Sequence, residues 1–157
     1  MTPPKFVYVT YIASSAEKVF HALTNGEMTK NYWGRHNNVS DWKTGSRWEH
    51  RDYDDPKLVD IVGEVLESRP PSRLVVSWVS PADEGKAEKT SRVTYEIKPF
   101  LDLVKLTVTH EDLEPDSPMY HGVTLGWPVV ISGLKTLLET GKPLPMMTRR
   151  WEAPPTD

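Results

Sequence analysis

No cysteine occurs in the 157 residues. Disulfides, a cysteine nucleophile and thiolate-held metal are thereby excluded. Basic excess is missing too: 19 Lys and Arg face 22 Asp and Glu, a formal net charge of −3, with no basic stripe. Binding that runs on phosphate neutralisation has no support, so no nucleic-acid partner is expected. No apolar run is long enough to span a bilayer, and MTPPKFVYVTYIASS lacks the cationic start and long apolar stretch of a secretory signal. A cytoplasmic location with no membrane partner is the expectation. Motifs that carry known chemistry are absent as well. There is no HExxH, no phosphate-binding glycine loop and no dinucleotide fingerprint, and Ser132 in VVISGLK has no glycine two residues before it. Asp52, Asp54 and Asp55 crowd one turn without calcium-loop spacing, which predicts a solvated hairpin tip. Neither a metal nor a cofactor is expected.

What is present is organised around residues 118–141. Tyr120, Val123, Trp127, Val130 or Ile131, Leu134, Leu137 and Leu138 recur at helical spacings of three and four. Pro118 suits a first helical turn and Gly141 the residue past the end, with Pro143 blocking continuation. Pro128 predicts a kink or a restart. This helix covers something, either a filled core or a cavity held open near Pro128.

Residues 5–12 read as a first strand with Phe6, Tyr8, Thr10 and Ile12 on one face. Ser14 and Glu17 form a capping box before a short amphipathic helix to about Thr24, and residues 27–33 suggest a second short helix ending near Gly34. Strands follow at 46–52, with Trp48 and His50 sharing a face; at 58–68, where Gly63 marks a bulge or a close approach; at 73–80; at 91–98, with Val93, Tyr95 and Ile97 inward; and at 103–110, with His110 on the apolar face. Hairpin-sized connections imply an antiparallel sheet of about six strands. Residues 1–142 therefore read as a single domain. Residues 143–157, rich in proline, read as an extended tail, either loose or docked through Met146, Met147 and Trp151 on a partner subunit or a pocket mouth.

The stretches YIASSAEKVFHALTN, YWG, DWKTGSRWEHR, GEVLESRPPSRLVVSWV, THEDLEP and GWPVVISGLKTLLETG together resemble one family. It is the domain related to the C-terminal part of activators of the 90-kDa heat-shock-protein ATPase, within the START-like, or birch-allergen-like, helix-grip superfamily. The resemblance covers roughly residues 5–142 and is most specific in GWPVVISGLKTLLETG. It implies an α+β helix-grip fold: a curved antiparallel sheet wrapped around a long C-terminal helix, enclosing an apolar cavity. The superfamily includes lipid and sterol carriers, polyketide cyclases and aromatases, and hormone receptors, and the fold alone does not choose among them.

The site residues are chosen for a ring-lined pocket with few polar groups. Trp33, Trp48, His50, Trp78, Tyr95, His110, Tyr120 and Trp127 are the candidate ligand-binding set, with no catalytic residue assigned. Arg35 and His36 lie either in a solvated loop or at the pocket mouth, where they meet an acidic group. The first expectation is a non-enzymatic binder of a small hydrophobic or aromatic molecule in the cavity between sheet and helix. The alternatives are a co-chaperone-like interaction module whose partner is a chaperone, and a cyclase- or aromatase-type enzyme with His50 or His110 as acid/base. The first strand, as a sheet edge, is compatible with a homodimer.

Overall fold

The computed structural model describes residues 3–151. The chain runs β1 (Phe6–Ile12), α1 (Ala16–Thr24), α2 (Gly26–Thr29), β2 (His36–Val39), β3 (Arg47–Asp52), β4 (Val59–Arg69), β5 (Arg73–Trp78), β6 (Ser91–Phe100), β7 (Leu103–Glu111) and α3 (Pro118–Thr140). All strand pairs are antiparallel, in one sheet ordered β1-β7-β6-β5-β4-β3-β2. The sheet curls, and α3 packs its Val123, Trp127, Val130, Ile131, Leu134 and Leu137 face into the core. This is the α+β helix-grip architecture.

Among the described residues the sheet has seven strands rather than about six. The missed one, β2, reads HNNV and offers no apolar alternation. Pairing with β3 defines it, and its inward residues His36 and Asn38 are polar, buried and hydrogen-bonded. Three local expectations also change. Ser15, not Ser14, caps α1, accepting from Lys18 N at 3.2 Å, because Ser14 N is drawn back to Ile12 O in a turn. The second helix is one turn, Gly26–Thr29, capped by the Asn25 side chain. And Asp52 is buried, accepting from Asp54 N at 3.0 Å and Asp55 N at 2.7 Å. A carboxylate that pins two turn amides cannot belong to a solvated tip.

α3 runs through Pro128 as one element, so no restart occurs. Ser117 caps its start, and Gly141 at φ 76° ends it in the left-handed region that glycine adopts without strain. Gly63 is a site of close approach. A Cβ there would lie 1.9 Å from Ser77 O and 2.4 Å from Trp48 Nε1, and the bulges fall elsewhere in the sheet, at His50/Arg51 and Val65/Glu67. Among the described residues no helix is long and apolar enough to cross a membrane.

Candidate functional site

Strand alternation turns Trp48 and His50 of β3, Trp78 of β5, Tyr95 of β6 and His110 of β7 to the concave face. Trp127 comes down from α3 and Trp33 enters from the turn after α2. Trp78 is the hub: its ring centroid lies 5.4 Å from Trp48, 5.6 Å from Trp127, 5.3 Å from His110 and 6.3 Å from Trp33. Trp127 closes the set at 5.3 Å from Trp33 and 5.9 Å from Tyr95. Edge-to-face and tilted contacts at these separations add to the stabilisation from burial alone. Seven of the eight candidate residues thus form one buried cluster. Tyr120 stands at its margin, half-buried and paired with His121 at 5.3 Å.

His110 is fully enclosed and both ring nitrogens are used. Trp127 Nε1–H donates to Nδ1 at 3.0 Å, which places the ring proton on Nε2. Nε2–H then donates to Ser91 Oγ at 2.8 Å, and Ser91 donates to Trp78 O at 3.1 Å. The imidazole is a neutral relay linking helix to sheet, and burial pushes its pKa down to about 3. A base with no free lone pair and so low a pKa is poorly suited to accept a proton near neutrality.

His50 differs. Nδ1 meets Asn38 Oδ1 at 2.5 Å, so the proton sits there and Nε2 carries an acceptor lone pair. That lone pair has no hydrogen-bond partner among the described residues, although Trp33 lies 5.0 Å and Trp78 6.3 Å from the ring. Burial, and then electrostatic repulsion from the neighbouring His36 and Arg150, hold His50 well below the ordinary histidine range. His36 stacks on it at 4.1 Å with planes 4° apart, and its own nitrogens face Trp33 O, Gly34 O and, at 2.5 Å, Asp60 Oδ2.

These depressed pKa values have a signed consequence. Between pH 6.5 and about 3 the unfolded chain protonates His110 and the folded one does not, so stability present above pH 6.5 is lost as pH falls. The expected slope from this group approaches 1.4 kcal/mol per pH unit, roughly the free energy of one full proton. His50 acts in the same direction. Urea titrations at pH 7, 6 and 5 check it, and His110→Gln should flatten the dependence.

Arg35 and His36 are engaged internally. Arg35 binds Asp54 through two bonds, Nε to Oδ2 at 2.6 Å and Nη2 to Oδ1 at 2.9 Å. The tail, as far as residue 151, is docked on its own chain; residues 152–157 lie outside the described residues. Met147 is buried against Gly133 of α3, and its carbonyl accepts from Arg35 N at 3.2 Å. Arg150 reaches both Asp60 oxygens, at 3.1 and 3.0 Å, and Asp52 at 3.4 Å. Trp151 lies on Gly34. Sequence reasoning missed Asp60 and Arg150, which are 90 residues apart and share no motif.

Among the described residues two open surface clefts stand out, and these two do not lie between α3 and the sheet. One of about 570 Å³ is lined by Phe20, Thr24, Trp42, Lys43, Ser68 and Pro70 among others. The other, of about 400 Å³, lies around Ala87, Thr90, Asp112 and Leu113. The space under α3 is taken up by the rings themselves. No group of three His, Asp or Glu among the described residues is arranged to hold a metal.

Residues 13–139 match the family described as Activator of Hsp90 ATPase homolog 1-like protein. The chain belongs to that family. No curated protein matches. Among solved structures, a protein of Cytophaga hutchinsonii is 27% identical over 90% of this chain and 97% of its own, with a TM-score of 0.70. An Hsp90 activator from Plasmodium falciparum is 19% identical over 85% and 95%, with a TM-score of 0.70. The Aha1 dimer from Colwellia psychrerythraea is 19% identical over 88% and 98%, with a TM-score of 0.68. At this identity the last two show the fold. The match to the Activator of Hsp90 ATPase homolog 1-like family stops before Gly141, so the docked segment around Met147 and Arg150 lies outside the part this chain shares with it.

Proposed function

We propose that this domain is a non-catalytic binding module for a small apolar or aromatic molecule. The ligand is received among Trp33, Trp78 and Trp127 and gives one hydrogen bond to His50. The observation that carries this reading is the lone pair on His50 Nε2, flanked by Trp33 and Trp78 and unused among the described residues. An acceptor beside apolar rings, with no partner among the described residues, suits a ligand that is mostly hydrocarbon with one O–H or N–H. Since the rings touch one another, one of them must turn aside. Trp33 is the ring next to a glycine and to the docked tail.

The test is a thermal-shift screen of lipids, sterols, flavonoid-like phenols and polyketide-like compounds. A ligand at one hundred times its Kd adds about 2.7 kcal/mol, or several degrees. His50→Leu should weaken phenolic hits about tenfold and leave their O-methyl ethers unaffected. Equal loss of both, or no hit, contradicts the reading.

A second reading is docking to a 90-kDa heat-shock chaperone, in keeping with the family. It is favoured by exposed apolar residues at one edge of the sheet: Val7, Val9 and Tyr11 alternate along β1, the Tyr11 and Phe100 rings are 5.3 Å apart, and Leu101 is exposed in the turn that follows Phe100. Calorimetric titration against the chaperone, with Tyr11→Ser and Leu101→Ser, separates the two. Micromolar binding lost in these variants supports docking, and no heat at that concentration contradicts it.

A further inference from the structure

The two flanks of α3 are closed by different means. Towards β1 the helix makes direct bonds: Lys135 Nζ donates to Tyr11 O at 2.5 Å, and Glu139 Oε2 accepts from Ala13 N at 2.8 Å. On the opposite flank, residues 144–151 cross from the helix to β2, β3 and β4. Two glycines serve as seats for this segment. At Gly133 a Cβ would come within 3.1 Å of Met147 Cγ, Sδ and Cε, and at Gly34 one would come within 2.7 Å of the Trp151 ring. Between these seats, Arg150 is held by Asp60 and Asp52.

We infer that residues 149–151 are the movable half of a latch, hinged beyond Met147, whose release opens the Trp33–His50 end of the ring cluster. The inference rests on the ligand-binding reading above, and it supplies the opening that the closed interior lacks. Its two halves are held differently. Met147 is an anchor, only 2% exposed. The Arg150 and Asp60 side chains are 41% and 40% exposed, and an ion pair as open to water as that is weak and screened by salt. Beneath the movable half lie Gly34 and His36. Directly behind them come Trp33, next in the chain, and His50, stacked on His36 at 4.1 Å. Lifting Arg150 and Trp151 therefore frees the space into which Trp33 can turn, and it removes a positive charge from the neighbourhood of His50. A site open only a fraction of the time binds with its intrinsic affinity reduced by that fraction, so weakening the latch raises apparent affinity and entry rate together.

The test uses the full chain and 1-anilinonaphthalene-8-sulfonate, a fluorescent apolar aromatic, followed by stopped flow. Amide exchange is measured over residues 33–38 in parallel. Arg150→Glu and Arg150→Gln each remove the pair; Lys142→Glu, an exposed cation outside residues 149–151, is the control. The expected result is association about tenfold faster in the first two variants, faster exchange at residues 33–38, and an unchanged control. Raising salt should accelerate the wild type towards the variants. Unchanged exchange in Arg150→Glu overturns the latch. Faster exchange with an unchanged association rate overturns its role as the gate. Faster exchange with no dye binding in any protein overturns the ligand reading while leaving the opening of the latch standing.

Discussion

Replacing Gly63 by alanine is expected to cost about 3–5 kcal/mol, the sum of an overpacking term and an unsatisfied hydrogen-bond pair. Gly63 lies in β4, between Trp48 of β3 and Ser77 of β5. The bare Cα lets the Trp48 indole reach across β4 and donate to Ser77 O at 2.8 Å. An added Cβ would sit 1.9 Å from that same oxygen, and the atom it meets is backbone, which cannot turn aside as a side chain would. Either β4 and β5 separate, or the indole leaves. In both cases a buried N–H and a carbonyl lose their partner. For a domain of this size the change lowers Tm by roughly 10 °C. A double-mutant cycle identifies the cause: with Trp48→Phe already present, Gly63→Ala should cost at least 1 kcal/mol less, an interaction of the size contacting residues show. Additivity would mean that the indole is a bystander and that the strand backbone carries the whole penalty.

Trp127→Ala is expected to be as severe, about 3–5 kcal/mol, the range for removing a large buried ring. Trp127 touches Trp33, Trp78, Tyr95 and His110 and is the ring through which α3 grips the sheet. Trp127→Phe keeps much of the volume and removes only the indole donor, so its cost, about 1–3 kcal/mol, reads the bond to His110 Nδ1. The phenylalanine variant should also change the His110 ring itself. With Nδ1 left unpaired, the proton no longer has to sit on Nε2, and the nitrogen shifts of the imidazole should show mixed tautomers. An unchanged imidazole spectrum would contradict the relay from Trp127 through His110 to Ser91.

Much of this fold can be read in the chain because its strands alternate cleanly. Trp48 with His50, Val93 with Tyr95, and Leu106 with His110 each announce an inward face, and α3 declares both of its ends through Pro118 and Gly141. Gly63 is legible as an exception inside a strand pattern. β2 is not, because a strand whose inward residues are His36 and Asn38 owes its place to partners rather than to period. The fate of the rings is also invisible beforehand. Alternation puts tryptophans on one face, but only packing decides whether they line a space or fill it. The tail is the clearest case. Met147 and Trp151 are accommodated by Gly133 and Gly34, each more than ten residues away in sequence, and nothing local to PMMTRRW states where its seat lies.

The central claim is that a small molecule enters at the Trp33–His50 end of a cluster that is closed at rest. Nitrogen-labelled protein, with the six indole N–H signals and the histidine ring nitrogens assigned, tests it most directly when titrated with hits from the thermal screen. The account predicts that the Trp33 and Trp127 indoles move together, that His50 Nε2 shifts as it accepts a hydrogen bond, and that Trp151 moves as the latch yields. Saturating shifts confined to Trp42 at the open surface cleft, or signals at Trp33 and His50 that stay fixed to millimolar ligand, would contradict it.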